Sequence, residues 1–371
     1  MNSNPLREQV FSLEQLVPEQ VWRLEDELRK IVPTRVQHAA RHVVLTGCGD
    51  SAIAGRAAES AFRELAGLPT VATDAMTASR YLLPTYAGQY PHTPLLFALS
   101  NSGRVARVVE AAQRAHEVGG FVVALTASPD SPLALASDAR VSTRIPEIAP
   151  GPGVRSYVEG LLGLTLFAIR FGEVRGRITM DQALVLRQEL AGLGDALAEL
   201  AATADQPMRR LAEEWAEHGG VELLGAGPAR ASAAYGAAKI LEAAGRRAVD
   251  IDLEEFVHLN YFVRDAEHTG TLVLSDHGYA SASRAAEVSR YLTTLRRPWA
   301  AIGAVPNAPT TVALPPVREL FAPILHVAPL ALFAGHLMEV TGESPGRDGV
   351  GQWSDCADGG TTTTSLIEGM E

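Results

Sequence analysis

Short runs of β-branched and apolar residues alternate with amphipathic stretches along this chain, and the alternation starts twice. The runs fall at 42–46, 69–73, 94–99, 121–126 and 140–144, then again at 220–225, 247–251, 271–275, 299–303 and 311–314. Helical periodicity covers 51–66, 74–82, 103–118 and 154–171 in the first series and 229–244, 279–296 and 320–341 in the second, with a long helical connector at 180–217. Such alternation argues for parallel strands, because each crossover carries a helix and a parallel sheet needs cover on both faces. The series also match locally. Val43-Val44-Leu45-Thr46-Gly47-Cys48-Gly49 corresponds to Val221-Glu222-Leu223-Leu224-Gly225-Ala226-Gly227, and 121–135 resembles 299–313. The fold expected is α/β: two tandem units, each a parallel five-stranded sheet flanked by helices in three layers.

Outside these series, Leu13, Leu16, Val17, Val21, Leu24 and Leu28 recur at helical spacing over 12–31, with Ser12 and Gln15 resembling a capping box. This reads as an N-terminal helical arm over 1–34. Beyond Gly342 the chain is rich in Gly, Asp, Ser and Thr without periodicity, so the tail over 346–371 is expected to be disordered or to act as a lid.

The 371 residues suffice for two domains of ordinary size. Lys plus Arg number 32 against 43 Asp plus Glu, a net charge of −11, which disfavours a nucleic-acid or anionic-membrane surface. A phosphorylated small molecule stays possible, because backbone amides and a helix dipole act locally. Cys48 and Cys356 form no C-x-x-C, so neither a disulfide framework nor a metal site is indicated. The N-terminus lacks a signal-peptide layout, and no apolar run is long enough to span a bilayer. A cytoplasmic protein is expected.

The stretch Leu95-Leu96-Phe97-Ala98-Leu99-Ser100-Asn101-Ser102-Gly103-Arg104 carries the first chemical signal. An apolar run ends in small hydroxyl and amide residues, and helical periodicity (Val105, Val108, Val109, Ala112) follows at once. Such a loop at a helix N-terminus holds an anion, most often a phosphate, without a lysine. The second copy reads Leu274-Ser275-Asp276-His277-Gly278; its carboxylate argues against phosphate there. A rival reading starts from Gly47-Cys48-Gly49-Asp50-Ser51-Ala52, which fits a dinucleotide turn with Asp74 as the ribose acid. Against it, the dinucleotide fold does not require a polar loop after the third strand, and Gly225-Ala226-Gly227 repeats the turn as inherited architecture. Cys48 reads as a small buried residue beside that turn.

Lys239-Ile240-Leu241-Glu242 is the second signal. Its spacing sets ammonium and carboxylate on one helix face, and the other lysine of the chain is Lys30. His258 follows in Glu254-Glu255-Phe256-Val257-His258. Alone, the pair is a solvated helix contact and the histidine a loop residue. His268, His277, His326 and His336 lack any such context and read as structural.

Gly-Cys-Gly-Asp-Ser followed by Ser-Asn-Ser-Gly resembles the sugar isomerase (SIS) family, and the layout is similar to double-SIS proteins such as the isomerase half of glucosamine-6-phosphate synthase and related sugar-phosphate deaminases and deglycases. The resemblance covers about 35–345 and implies one SIS domain over 35–178 and a second, with the helical connector, over 179–345. It implies a sugar phosphate held by Ser51, Ser100, Asn101 and Ser102, beside Gly49 and Asp50, with Val154 and Ser156 near the sugar. It also implies that Lys239, Glu242 and His258 supply isomerase chemistry, with His258 opening the ring and reaching into a neighbouring subunit, hence a homodimer. The family often has Thr where this chain has Asp50 and Val105; Arg104 could compensate with its charge. The family's tail lysine, able to form an imine with a ketose, is absent, since the comparable stretch Pro345–Trp353 holds none.

Aldose–ketose interconversion moves one proton between C1 and C2, and a single carboxylate can take it from one carbon and return it to the other. Glu242 suits that role and a near-neutral histidine suits ring opening. Lys239 could stabilise the enediolate oxygen or simply pair with Glu242. The expectation is an isomerase or deaminase acting on a phosphorylated amino sugar through an enediol or enediolamine, without metal or redox cofactor. No glutaminase domain precedes the pair and residue 2 is Asn, so release of ammonia from glutamine is not expected. The alternative is a non-catalytic SIS module that senses a sugar phosphate.

Overall fold

The computed structural model describes residues 4–89, 93–344 and 360–369. Strands β1 His42–Gly47, β2 Thr70–Asp74, β3 Pro94–Leu99, β4 Phe121–Thr126 and β5 Ala139–Ser142 pair in parallel in the order β2-β1-β3-β4-β5. Strands β6 Gly220–Gly225, β7 Ala248–Asp252, β8 Thr269–Leu274, β9 Trp299–Ile302 and β10 Thr311–Val312 pair as β10-β9-β8-β6-β7, which is the same order within the second series. Both sheets are therefore parallel, five-stranded and flanked by helices. Their first strands even leave through matching turns: Gly49 and Gly227 both sit at φ +53, before helices α4 Asp50–Ala61 and α10 Pro228–Ala244.

The chain divides into two compact units. Residues 16–146, 155–192 and 360–369 build the first-sheet unit, and residues 4–15, 147–154 and 193–344 the second-sheet unit. In the first, β3 alternates as period two requires. Leu96 and Ala98 join Val44, Val122 and Ala124 under Val108, Ala111, Ala112 and Ala115 of α6 Ala106–Glu117. Phe97 faces the other way, its ring 4.8 Å from Phe167 and 5.2 Å from Phe62, beneath α4 and α8 Arg155–Val174. In the second, Leu224, Val273 and Ala301 pack under α11 Leu253–His258 and α12 Ala282–Thr294, while α13 Ala322–Val340 packs on α10.

The N-terminal arm consists of α1 Pro5–Phe11 and α2 Leu13–Ile31, with Leu13, Leu16, Val17, Val21, Leu24 and Leu28 all buried. Ser12 closes α1, its Oγ donating to the Gln9 carbonyl at 2.6 Å. Two readings need correction. By length and composition α13 is apolar enough to cross a membrane; it is instead a buried core helix, which composition cannot distinguish. The tail is not simply irregular either. Residues 360–369 include a short helix, Gly360–Thr363, and dock on α6, whereas Pro345–Trp353 and Cys356 lie outside the described residues.

Buried charge ties α2 to the first-sheet unit. Arg23 reaches the fully buried Glu159 of α8, Glu27 at 3.0 Å and the Ser142 carbonyl at 2.9 Å. Burial pushes Glu159 from its ordinary 4.5 up to about 7, with Arg23 opposing the rise. A carboxyl raised on folding binds more protons folded than unfolded between those two values, so stability is highest at low pH and falls as pH rises through that window. Glu159→Gln removes the slope. Relative to the variant, the wild type should lose about 2 kcal/mol between pH 5 and pH 8 in urea unfolding; equal pH slopes for the two proteins would refute the account.

Candidate functional site

In the first sheet, β1 pairs with β2 on one side and β3 on the other, in registers Gly47↔Asp74 and Thr46↔Ala98. The crossovers from β1 and β3 therefore diverge to opposite faces and open a crevice at the carboxyl edge between them, where open α/β sheets bind ligands. Two helices begin there without a side-chain cap, α4 after Gly49 and α6 after Val105. Each brings its first N–H groups and positive dipole end to this carboxyl edge, which favours an anion.

The polar loop is held as a preformed cradle. Ser100 N–H donates to the Leu125 carbonyl at 3.1 Å, and the Asn101 carbonyl accepts from Ala127 N–H at 3.0 Å and Thr126 Oγ1 at 3.2 Å. Ser100 is buried, and its Oγ accepts from Gly103 N–H at 3.1 Å. A hydroxyl that accepts in this way keeps its own proton to donate to an anion. Asn101, Ser102 and Arg104 are exposed, with Ser102 Oγ accepting from Arg104 N–H at 3.3 Å. Gly103 holds φ +64, and a Cβ there would lie 2.0 Å from Ser131 Oγ.

Gly49, Asp50 and Ser51 open α4 at the same edge. Ser156 stands in the first turn of α8, next to Tyr157, whose hydroxyl is pushed up by burial and further by the Asp50 carboxylate. The Asp50 charge is thus felt at α8. Val154 falls in the other unit, buried, its N–H donating to Gln9 Oε1 at 2.9 Å. Asp74, the ribose acid of the dinucleotide reading, caps α5 Ala75–Thr77 by accepting from Thr77 N–H at 2.9 Å and Thr77 Oγ1 at 2.8 Å. Asp252 caps α11 in the same way from Glu254 N–H at 2.8 Å, so this acid belongs to the architecture.

Cys48 is exposed, not buried as expected. Gly47 packs so closely on α4 that a Cβ would meet Ser51 Cβ at 2.6 Å, and Gly49 turns through positive φ, so the residue between them swings outward. Local desolvation still pushes its thiol up; the Ala75 N–H and the Arg107 charge pull it down, and Asp74 adds to the rise. The sequence reading missed Arg107. It stands in the first turn of α6, close enough for its charge to act at the edge of β1.

In the second-sheet unit, Lys239 and Glu242 come together on α10. Lys239 is fully buried, its Nζ 2.5 Å from Glu242 Oε2 and 5.4 Å from the Tyr235 ring centroid, while the Glu242 side chain is 42% exposed. His258 ends α11 at 60% side-chain exposure and hydrogen-bonds Glu254 at 2.9 Å; Arg284 Nη2 reaches the same carboxylate at 2.8 Å. Those hydrogen bonds hold Glu254 below the usual carboxylate range. Glu254 was legible as the i−4 partner of His258; Arg284 was not. Of the other histidines, His326 is buried between Ser232 Oγ at 2.9 Å and Tyr279 Oη at 3.2 Å, and burial lowers it to about 3. His336 is buried between Asp205 and Glu339. At the second carboxyl edge Ser275 N–H donates to the Ile302 carbonyl, as Ser100 does to Leu125, but Asp276 and Glu319 bring carboxylates there.

Residues 38–170 match the SIS domain family. Over most of its length the chain is also homologous to glutamine–fructose-6-phosphate aminotransferases of the isomerizing type. The enzyme of Streptomyces coelicolor is 27% identical over 328 residues, 85% of this chain and 52% of its own. The chain thus spans about half the length of the curated relatives it matches. Among solved structures, the C-terminal domain of glucosamine-fructose-6-phosphate aminotransferase from Francisella tularensis superposes with TM-score 0.76 at 17% identity, covering 91% of this chain and 96% of that one. Glucosamine-6-phosphate deaminase from Thermotoga maritima superposes with TM-score 0.71 at 15% identity, covering 93% and 97%.

Gly103→Ala tests the cradle. Strain at positive φ together with the Ser131 collision should cost about 2 kcal/mol or more of stability. Inorganic phosphate affinity, measured by calorimetry, should fall at least tenfold. Unchanged stability would show that the loop is not held as described.

Proposed function

We propose that this chain is a sugar-phosphate isomerase or deaminase, acting on a phosphorylated amino sugar through an enediol or enediolamine. The phosphoryl group lies at the β1/β3 edge on Ser51, Ser100, Asn101 and Ser102, with backbone N–H groups of the α4 and α6 starts and with Gly49 and Asp50 alongside. Val154 and Ser156 flank the sugar. Glu242 moves the proton between C1 and C2, Lys239 pairs with that carboxylate or stabilises the enediolate oxygen, and His258 opens the ring. Under this reading the second sheet, over 179–345, is itself a SIS domain.

The observation that carries the reading is the Lys239–Glu242 pair. A structural helix pair exposes both partners and contributes little. Here the ammonium is fully buried and the carboxylate remains accessible, which is how a base is fixed and yet left open to substrate. Glu242→Gln should reduce exchange of the C1 hydrogen of fructose 6-phosphate, or of the C2 hydrogen of glucosamine 6-phosphate, in deuterated water by about 10² to 10⁴-fold, with phosphate binding retained. Undiminished exchange would put the base elsewhere. A wild type that binds hexose phosphate without any exchange would favour the sensor reading.

The reading includes a homodimer. Leu259 and Phe262, 64% and 68% exposed, and Val263 directly follow His258, so an apolar loop is offered to a partner beside the proposed acid/base. Phe262→Asp should shift the protein from dimer to monomer in sedimentation velocity and depress turnover. A wild-type monomer at micromolar concentration would overturn the assembly.

A further inference from the structure

The segment 362–369 is docked on α6 by an unusual set of charges. Glu110, with no side-chain exposure, stands at the centre. Arg80 Nε reaches it at 2.9 Å, Arg114 Nε lies at 3.8 Å, and Arg107 hydrogen-bonds it from one turn earlier on the helix. Burial alone would raise this carboxyl, but the Arg80 hydrogen bond, the Glu368 N–H and the neighbouring guanidinium charges hold it below the usual range. The tail completes the cluster mostly with backbone. Glu368 N–H donates to Glu110 at 3.1 Å, the Glu368 carbonyl accepts from Arg114 Nη2 at 2.8 Å, and the Glu368 carboxylate pairs with Arg80 at 3.2 Å. Arg107 donates to Ser365 Oγ at 3.1 Å and to the Leu366 carbonyl.

Among the described residues, three guanidiniums face two carboxylates here. Arg107 lies toward the anion edge, in the first turn of α6 directly after the Ser100–Gly103 loop, and its charge acts on Cys48 in the loop after β1. The Arg107 side chain is 11% exposed. Among the described residues, the contacts to Glu110, Ser365 and Leu366 engage three of the five N–H donors of this guanidinium. The Ser365 hydroxyl, accepting from Arg107, keeps its proton.

We propose that the docked C-terminal segment is part of the anion site: by fixing Arg107 and presenting Ser365 at the β1/β3 edge, it supplies two further ligands for the phosphoryl group of the substrate. This rests on the phosphate reading of that edge given above. The two groups supply a positive charge and a hydroxyl at an edge where the helix starts carry Asp50 and Val105.

The test is calorimetric titration of inorganic phosphate and glucosamine 6-phosphate into the full chain, into a chain ending at residue 359, and into Arg107→Gln, Ser365→Ala and Ser102→Ala. Melting temperatures check that each variant is folded. Removal of the tail and Arg107→Gln should each weaken phosphate binding about tenfold, and Ser365→Ala about threefold. Arg107→Gln combined with tail removal should be little worse than Arg107→Gln alone, since the tail works largely through that side chain. Ser365→Ala, a mild change, keeps the proposal falsifiable should the truncated chain fail to fold. Unchanged or tighter binding without the tail or with Ser365→Ala, while Ser102→Ala still weakens it, would overturn the tail's role and leave the phosphate reading standing. No effect from any variant, Ser102→Ala included, would overturn both.

Discussion

Everything else here depends on the position of β1. Because it pairs with β2 on one side and β3 on the other, its crossovers part to opposite faces and leave the carboxyl edge uncovered. Two helices then begin at that edge, and neither spends its first N–H groups on a side-chain cap. On the proposed reading, an anion held there is met by backbone N–H groups, and the side chains need only be small and hydroxylated. A chain poor in lysine and acidic overall then needs no cationic cluster to hold a phosphoryl group, because the field that matters is local.

The duplicated sheet shows how one architecture is turned to another use. Strand order, the positive-φ glycine after the first strand, the aspartate cap after the second and the N–H contact after the third all recur. What changes is the chemistry at the edge. Hydroxyls at 100 and 102 face a counterpart with Asp276 and, nearby, Glu319. The second-sheet unit carries instead a buried lysine that fixes an accessible glutamate on α10. Burying an ammonium is costly unless it is paired at close range, and Glu242 supplies such a partner at 2.5 Å.

Most of the fold was legible because buried parallel strands read as short β-branched runs and the helices between them as clear amphipathic periods. Val43 to Gly47 and Leu95 to Leu99 could hardly have been anything else. Failures came where local signals are silent about tertiary setting. The glycine turn gave no sign that Cys48 swings outward, since that depends on how tightly Gly47 meets α4. The predominantly apolar α13 carries no stripe to distinguish a core helix from a membrane span. Short helices such as α11 are too brief for periodicity to register, although the Asp252 cap marks one. Arg107 and Arg284 escaped notice because their partners, Glu110 with the tail and Glu254 with His258, are set by packing and not by motif. The polar loop at 100–103 stands out in the sequence for the opposite reason: its hydroxyl and amide residues are consecutive.

The most direct test of the account is a crystal structure of the full chain with glucosamine 6-phosphate bound. The account predicts the phosphoryl group at the carboxyl edge of β1 and β3, within hydrogen-bonding distance of the Ser100 and Ser102 hydroxyls and of backbone N–H groups at the start of α6. A phosphoryl group seated at the second sheet's edge, or anywhere away from the 100–103 loop, would contradict it.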